Sequence, residues 1–117
     1  MELGDESQLQ TCLTRWINHQ LQPVKKIVTD LLYDLRSGEL LLTVLNRLHD
    51  GDPIPCDIRD QVFSRRTNVN SVLSHCNKER IRMDVELVTT ENIISGNRQA
   101  TLQLTWEIAF YYETRWK

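Results

Sequence analysis

Apolar side chains recur at every third or fourth position in four long stretches of this chain of 117 residues. This spacing matches the turn of an α-helix and places each apolar set on one face of its helix. Helices with one apolar face bury it against one another, so the pattern predicts an all-α domain of four main helices plus short connecting helices. The first set lies within residues 8–22 and consists of Leu9, Leu13, Trp16, Ile17 and Leu21.

The remaining sets follow in order along the chain. A short helix is predicted over residues 24–35, and Gly38 separates it from a main helix over residues 41–48. The stretch HDGDPIPCDIRD contains two prolines and is a predicted loop. The next main helix is expected to begin near Arg66.

The stretch between that helix and the last one alternates between apolar and polar side chains over residues 81–87, as a β-strand would. No second stretch of this kind can pair with it, so we expect an extended connector. The sequence TENII is a predicted single helical turn that Gly96 ends. Asn97 is then placed to cap the last main helix.

The last helix carries an apolar stripe that we predict to face the core. This phase places Thr101, Thr105 and Tyr112 on the outer side. Trp16 is expected to pack close by, since it is the aromatic member of another inward stripe. The predicted inner stripe consists of Leu102, Trp106, Ala109 and Phe110.

The composition is that of a globular domain, with 40% hydrophobic and 26% charged residues. We expect residues 1–7 to form a flexible leader, with Ser7 as helix cap, and residues 8–117 to form the domain. No apolar run approaches the roughly 18 residues of a membrane span, and the polar N-terminus is unlike a signal peptide. Three cysteines without metal-ligand spacing indicate reduced thiols and a protein of the cytoplasm or nucleus. The cytoplasm is the location that we predict. The net charge of −2 argues against a nucleic-acid partner.

Catalytic, metal and cofactor sites are not predicted. His75 and Cys76 are adjacent, but neighbours on a helix point about 100° apart and cannot act together locally. Cys76 lies on an apolar stripe, which is more typical of a small core residue. Asp30 and Asp34 lie one helical turn apart, which suggests either shared-proton chemistry or, as we favour, local capping and solvation. The chain contains no phosphate-loop, dinucleotide or calcium-loop motif, so we do not expect an enzyme.

Four segments resemble a calponin-homology domain in their order and spacing: LTRWINHQL, VTDLLYDLRSGELLLTVLNRL, NVNSVLSHCNKERIRM and ENIISGNRQATLQLTWEI. The resemblance covers residues 8–113 and is strongest to the first domain of the tandem actin-binding pairs of spectrins, α-actinin, filamin, plakins and nesprins. It implies a central last helix surrounded by the others. It also implies an actin-filament-binding module of a larger cytoskeletal linker protein, accompanied in the parent chain by a second calponin-homology domain.

The resemblance further implies where actin would be contacted, namely on the first helix and on the exposed face of the last. A helix face with little charge is desolvated at low cost, and a few basic residues complement an acidic filament. The corresponding positions lie within residues 8–22 and 98–112. The candidates are Gln10, Thr14, Arg15, Asn18, Arg98, Gln99, Thr101 and Thr105.

Four positions around the last helix depart from the family's usual residues, and they are Ser95, Gln103, Thr105 and Glu107. Glu107 brings a negative charge beside a surface meant for an acidic filament, where like charges oppose binding. These departures motivate a second hypothesis. In it, the same fold serves as an interaction domain for a non-actin partner, such as a microtubule component or a scaffold protein.

Overall fold

The computed structural model describes residues 6–59 and 62–114. Within these ranges the chain forms α-helices and two short 3₁₀-helices, Gln22–Val24 and Leu35–Ser37, and no β-strand. The predicted all-α fold is confirmed, with α1, α3, α4 and α6 as its long helices. The α-helices are α1 (Glu6–Leu21), α2 (Leu31–Asp34), α3 (Glu39–Leu48), α4 (Val62–Lys78), α5 (Thr90–Ile94) and α6 (Arg98–Thr114).

Helix α6 occupies the centre of the domain, as the resemblance implied. It packs against α1, α2 and α5, and near its end Tyr112 reaches α4, where its hydroxyl lies 2.8 Å from Nε2 of His75. A helix with neighbours on several sides buries more than one stripe of side chains. Its buried residues are Ala100, Thr101, Leu102, Leu104, Thr105, Ile108, Ala109 and Tyr112.

Helix α1 lies beside α6 and runs in the same general direction. At their first residues, Glu6 Oε1 lies 3.9 Å from Nε of Arg98. Near their last turns, the indole of Trp16 donates a hydrogen bond to Glu113, with 2.7 Å between Nε1 and Oε1. Because α1 already begins at Glu6, the predicted cap Ser7 lies inside the helix. The rest of the expected leader, residues 1–5, is outside the described residues.

The predicted inner stripe of the last helix is confirmed for Leu102 and Ala109, which are buried, and wrong for its two aromatic members. Trp106 and Phe110 are 37% and 52% exposed, whereas Thr101, Thr105 and Tyr112 are 1%, 0% and 4% exposed. Small threonines fit where α6 is crowded by its neighbours, and Thr105 satisfies its hydroxyl by donating to the carbonyl oxygen of Thr101 at 2.8 Å. The ring that stacks on Trp106 is that of Phe110. Trp16 instead forms a hydrogen bond with Glu113, near the C-terminal end of α6.

The predicted helix over residues 24–35 forms only in its second half. Helix α2 begins after Asp30, whose carboxylate accepts from the backbone N–H of Tyr33 at 3.2 Å. Asp34 turns back and accepts from the N–H groups of Thr29 and Asp30. Both carboxylates therefore accept hydrogen bonds from backbone N–H groups, which agrees with the interpretation as local capping. The segment before them is an irregular link, because Lys25 takes a left-handed conformation with φ 59°.

Gly38 joins α2 to α3 and brings the chain against α4. Its φ is +76°, and a Cβ placed there would lie 2.7 Å from the backbone nitrogen of Val69. Only glycine combines this left-handed turn with such a close approach. The turn predicted at this glycine is confirmed.

Three asparagines hold irregular links by the same geometry, in which one side-chain amide forms hydrogen bonds with both the N–H and the C=O of a single residue. Asn18 of α1 binds Val28 in this way, at 2.6 and 3.0 Å. Asn46 binds Ile54 in this way, with N–O distances of 2.7 and 3.0 Å. Asn68 of α4 binds Asp57, at 2.8 and 2.7 Å. The link after α3 is therefore held at two residues by asparagine side chains. The helix that follows it, α4, begins at Val62 rather than near Arg66.

The connector between α4 and α5 contains no strand among its described residues, as predicted. It is anchored to α6 by Gln103, whose side-chain oxygen accepts from the N–H of Asp84 at 2.8 Å. Thr89 caps α5 by accepting from the N–H of Asn92. Asn97 caps α6 by accepting from the N–H of Ala100 at 2.9 Å, which confirms its predicted role.

Candidate partner-binding face

Four of the eight candidate residues line a single polar groove between α1 and the start of α6. The groove encloses about 410 Å³. Arg15 and Arg98 supply its positive charge, and among its described lining residues there is no carboxylate. The lining consists of Ser7, Gln10, Thr11, Thr14, Arg15, Thr29 and Arg98.

The groove is built on one exposed face of α1. The hydroxyl of Thr14 donates to the carbonyl oxygen of Gln10 at 2.7 Å, and that of Thr11 donates to the carbonyl oxygen of Ser7 at 2.9 Å. These bonds use the hydroxyl protons and leave oxygen lone pairs that can accept from a partner. The groove therefore offers hydrogen-bond donors from its positively charged arginines and hydrogen-bond acceptors from its uncharged threonine hydroxyls.

Arg98 is positioned by α1 rather than by its own helix. Its guanidinium lies 3.5 Å from the hydroxyl of Ser7 and 3.9 Å from the carboxylate of Glu6. Both members of this ion pair are nearly half exposed, so the pair is weak and leaves Arg98 available to another anion.

A second, more apolar groove lies along the outer side of α6. It encloses about 730 Å³, and its lining includes Leu9 of α1, Leu87 of the connector and the candidate Gln99. Trp106 and Phe110 form its exposed apolar part, with ring centroids 6.0 Å apart and planes inclined by 24°. These two aromatic residues are the surface feature that sequence reasoning missed.

A signal for them was present in the sequence. Trp106 and Phe110 share one helical stripe with Gln99, Gln103 and Glu113, so polar residues outnumber apolar ones on that side. The neighbouring stripe contains Ala100, Leu104 and Ile108. All three side chains are apolar, so this whole stripe can be buried. The number of polar residues on each complete stripe therefore predicts that the aromatic pair is exposed, although tryptophan by itself favours burial.

Glu107 borders the apolar groove, opposite Arg82. Partial burial raises the pKa of the Glu107 carboxyl, and the positive charge of Arg82 opposes that rise. The carboxylate is thus less well solvated than one on an open surface. A partner bound in this groove would have to accommodate or pair with it.

Three candidates do not belong to the face. Thr101 and Thr105 are buried inside the domain, so their predicted outward placement is wrong. The side-chain amide of Asn18 forms hydrogen bonds with the N–H and C=O of Val28, at 2.6 and 3.0 Å, and so holds the link after α1. The structure brings together Gln10, Thr14, Arg15 and Arg98, with Gln99 in the adjacent groove.

The adjacent His75 and Cys76 do not form a reactive pair. Burial raises the pKa of the Cys76 thiol to about 12, so this thiol stays protonated at neutral pH. His75 instead bonds to Tyr112 and contacts the ring of His49 edge-on, with centroids 4.9 Å apart. Across the described residues, no three histidine, cysteine, aspartate or glutamate side chains are grouped so as to hold a metal ion. None of the described helices is both long and apolar enough to cross a bilayer.

Comparison with known proteins identifies the family. The family model described as calponin homology (CH) domain matches residues 7–114, which is nearly the whole chain. The chain belongs to the calponin-homology family. The resemblance stated from the four sequence segments is thereby confirmed.

Curated relatives of this calponin-homology domain are much longer proteins. Microtubule-actin cross-linking factor 1 of Rattus norvegicus is 30% identical over 100 residues, which cover 86% of this chain and 2% of that protein. Human spectrin beta chain, non-erythrocytic 4, is 31% identical over 101 residues, covering 86% and 4%. Human nesprin-2 is 28% identical over 114 residues, covering 96% and 2%. None of these names is that of an enzyme.

Proposed function

We propose that this calponin-homology domain binds actin filaments and does so as a module of a larger cytoskeletal linker protein. The observation that carries the proposal is the polar groove that Arg15 and Arg98, from two parallel helices, line together. Family membership and similarity to a protein named as a microtubule-actin cross-linker support it. The parent protein would then act at the cytoskeleton in the cytoplasm, with a second calponin-homology domain beside this one.

The groove and the aromatic pair have complementary roles in this proposal. Arg15 and Arg98 attract an acidic filament and set its orientation, since exposed charges mainly govern encounter and specificity. Trp106 and Phe110 supply apolar area that a partner can cover, and aromatic residues are enriched in the core of interfaces. Gln99 lines the apolar groove beside the aromatic pair and can exchange hydrogen bonds with a partner there.

Reversing both charges tests the proposal directly. In the double variant Arg15→Glu and Arg98→Glu, we expect filament affinity to fall at least about tenfold, because each substitution places like charges face to face. Co-sedimentation with actin filaments at low and moderate salt measures this, and circular dichroism checks the fold. The matched control, Arg47→Glu with Lys78→Glu, changes the net charge equally at residues outside both grooves.

Two results would contradict the proposal. One is that the wild-type domain does not pellet with filaments at tens of micromolar, even when joined to its natural C-terminal neighbour. The other is that the groove variant and the control pellet equally at every salt concentration, which would move the contact surface elsewhere.

The second candidate function is binding of a non-actin partner, such as a microtubule component or a scaffold protein, through the apolar groove. The incompletely solvated carboxylate of Glu107 beside Trp106 favours it. The variant Glu107→Ser separates the two functions. Stronger filament pelleting after this change supports the actin module, whereas unchanged recovery of a non-actin protein supports the alternative.

A further inference from the structure

A second basic surface lies at the end of α1, where the chain turns through residues 22–28 toward α2. A recess of about 460 Å³ opens there, and among its described lining residues none is acidic. None of the residues of this turn lines either groove of the partner-binding face. The lining consists of Arg15, Asn18, His19, Gln22, Lys25, Lys26 and Ile27.

The turn is held at both of its ends. At its start, the N–H of Lys25 donates to the carbonyl oxygen of Gln22 at 3.0 Å, and Lys25 takes a left-handed conformation. At its end, Val28 is buried and both of its backbone groups are bonded by Asn18. A turn fixed in this way loses little conformational entropy on binding, because its shape is already set.

The fixed turn pushes two apolar side chains into solvent. Ile27 is 71% exposed and Val24 is 39% exposed, although the core begins at the next residue, Val28. A single exposed apolar residue is common on protein surfaces. Here two β-branched residues flank a pair of lysines within four positions, which combines an apolar tip with positive charge.

The positive charge around the tip is little compensated. Lys26 lies 3.3 Å from Glu39 of α3, and both side chains are substantially exposed, so this ion pair is weak. Lys25 and Arg15 add two further charges on the same rim, beside His19. The rim thus carries the charge that attracts acidic surfaces, next to side chains that water solvates poorly.

We propose that this turn docks the domain on the surface of an acidic lipid bilayer. Val24 and Ile27 enter the boundary between headgroups and acyl chains, while Lys25, Lys26 and Arg15 face the acidic headgroups. Peripheral membrane contacts of this kind combine buried apolar area with attraction between basic residues and acidic lipid. Each basic residue near such a leaflet strengthens binding roughly fivefold, so a single turn gives weak and reversible attachment.

A bilayer accounts for the turn better than a filament does. A projecting apolar tip needs a matching pocket on a folded partner, whereas a bilayer accepts it without shape complementarity. Three basic residues also line the recess beside Ile27, which suits an acidic surface. Membrane docking does not depend on filament binding, since the turn residues and the two-arginine groove are different surfaces that meet only at Arg15.

Vesicle co-sedimentation at low salt tests the proposal. Vesicles of phosphatidylcholine with about one-third phosphatidylserine should bind the wild-type domain, and vesicles of pure phosphatidylcholine should bind it several times more weakly. Lys25→Glu should lower binding at least about fivefold at low salt and less at high salt, because salt screens the charge. Ile27→Ser should lower binding several-fold at every salt concentration.

Matched controls replace residues of similar type and exposure elsewhere. Ile58→Ser alters another highly exposed isoleucine, and Arg47→Glu reverses a charge at the end of α3. Both should bind vesicles as the wild type does. The proposal is overturned if phosphatidylserine vesicles do not bind the domain, or if the controls lower binding as much as the turn variants. It is also overturned if Lys25→Glu and Ile27→Ser weaken filament pelleting but not vesicle binding, because the turn then belongs to the filament surface.

Discussion

At the scale of single residues, size and hydrogen bonding decide which side chains of α6 are inside. Thr101 and Thr105 are buried because a threonine is small. Thr105 also satisfies its hydroxyl on the carbonyl oxygen of Thr101, whereas the hydroxyl of Thr101 has no hydrogen-bond partner among the described residues. Trp106 is the larger and more apolar side chain, but it lines the open groove on the outer side of α6 and is 37% exposed. Hydropathy alone therefore ranks these residues in the wrong order.

The stability of two α6 variants distinguishes these positions. Ile108 is fully buried, so Ile108→Ala should lower the free energy of unfolding by about 2–5 kcal/mol through lost burial and a cavity. Trp106→Ala should lower it by only about 1–2 kcal/mol, since the indole is partly solvated and packs on one exposed ring. Urea denaturation monitored by circular dichroism measures both. A larger loss for Trp106→Ala than for Ile108→Ala would show that the indole is a core side chain.

At the scale of elements, the connections are as well determined as the helices. Asn18, Asn46 and Asn68 each bond both backbone groups of one residue in a neighbouring link. The links between α1 and α2 and between α3 and α4 thereby gain fixed hydrogen bonds without forming a sheet. This explains how long stretches without helix are ordered, since their backbone groups find partners in side chains.

Removing one such asparagine should destabilise the domain. Asn68 is buried, and Asn68→Ala leaves the N–H and C=O of Asp57 without their partner. The expected loss is about 2–3 kcal/mol. Asn77→Ala, an exposed position in the same helix, should change stability by no more than about 0.5 kcal/mol. Thermal or urea unfolding measures both, and equal effects of the two substitutions would refute the structural role of Asn68.

At the scale of the whole molecule, a polar cluster links the ends of three helices. His75 of α4 bonds to Tyr112 of α6, and His49 after α3 packs edge-on against His75. Burial lowers the pKa of His75 below its ordinary value of 6.5, the charges of His49 and Lys78 act in the same direction, and Glu79 opposes them. The folded domain therefore favours the neutral form of His75.

This cluster makes stability depend on pH. Because the pKa of His75 is lower in the folded state, the unfolded chain takes up its proton first as pH falls. The contribution of neutral His75 is complete above pH 6.5 and is lost as pH falls below that value. The free energy of unfolding of the wild type should decrease from about pH 7.5 to 5.5 more steeply than that of His75→Gln. Parallel curves for wild type and His75→Gln would exclude this cause.

Much of the fold follows from local patterns in the sequence. The spacing of apolar residues predicts the long helices, Gly38 and Gly96 mark turns, and Asn97 is a recognisable cap. Each of these signals acts over a few residues, so it can be interpreted without knowing the tertiary contacts. The order and spacing of four segments also indicate the calponin-homology family, and the family model confirms this by matching residues 7–114.

The tertiary structure decided the features that depend on what lies against each element. The apolar spacing of residues 24–35 predicts a helix, but Pro23, the left-handed Lys25 and the bonds from Asn18 to Val28 hold the first half as an irregular turn. The outward direction of Trp106 likewise depends on which sides of α6 the other helices cover. Periodicity shows that a helix has an apolar face, whereas packing selects which of two adjacent stripes is buried. The two-arginine groove arises for the same reason, since Arg15 and Arg98 line one groove only because α1 and α6 run side by side.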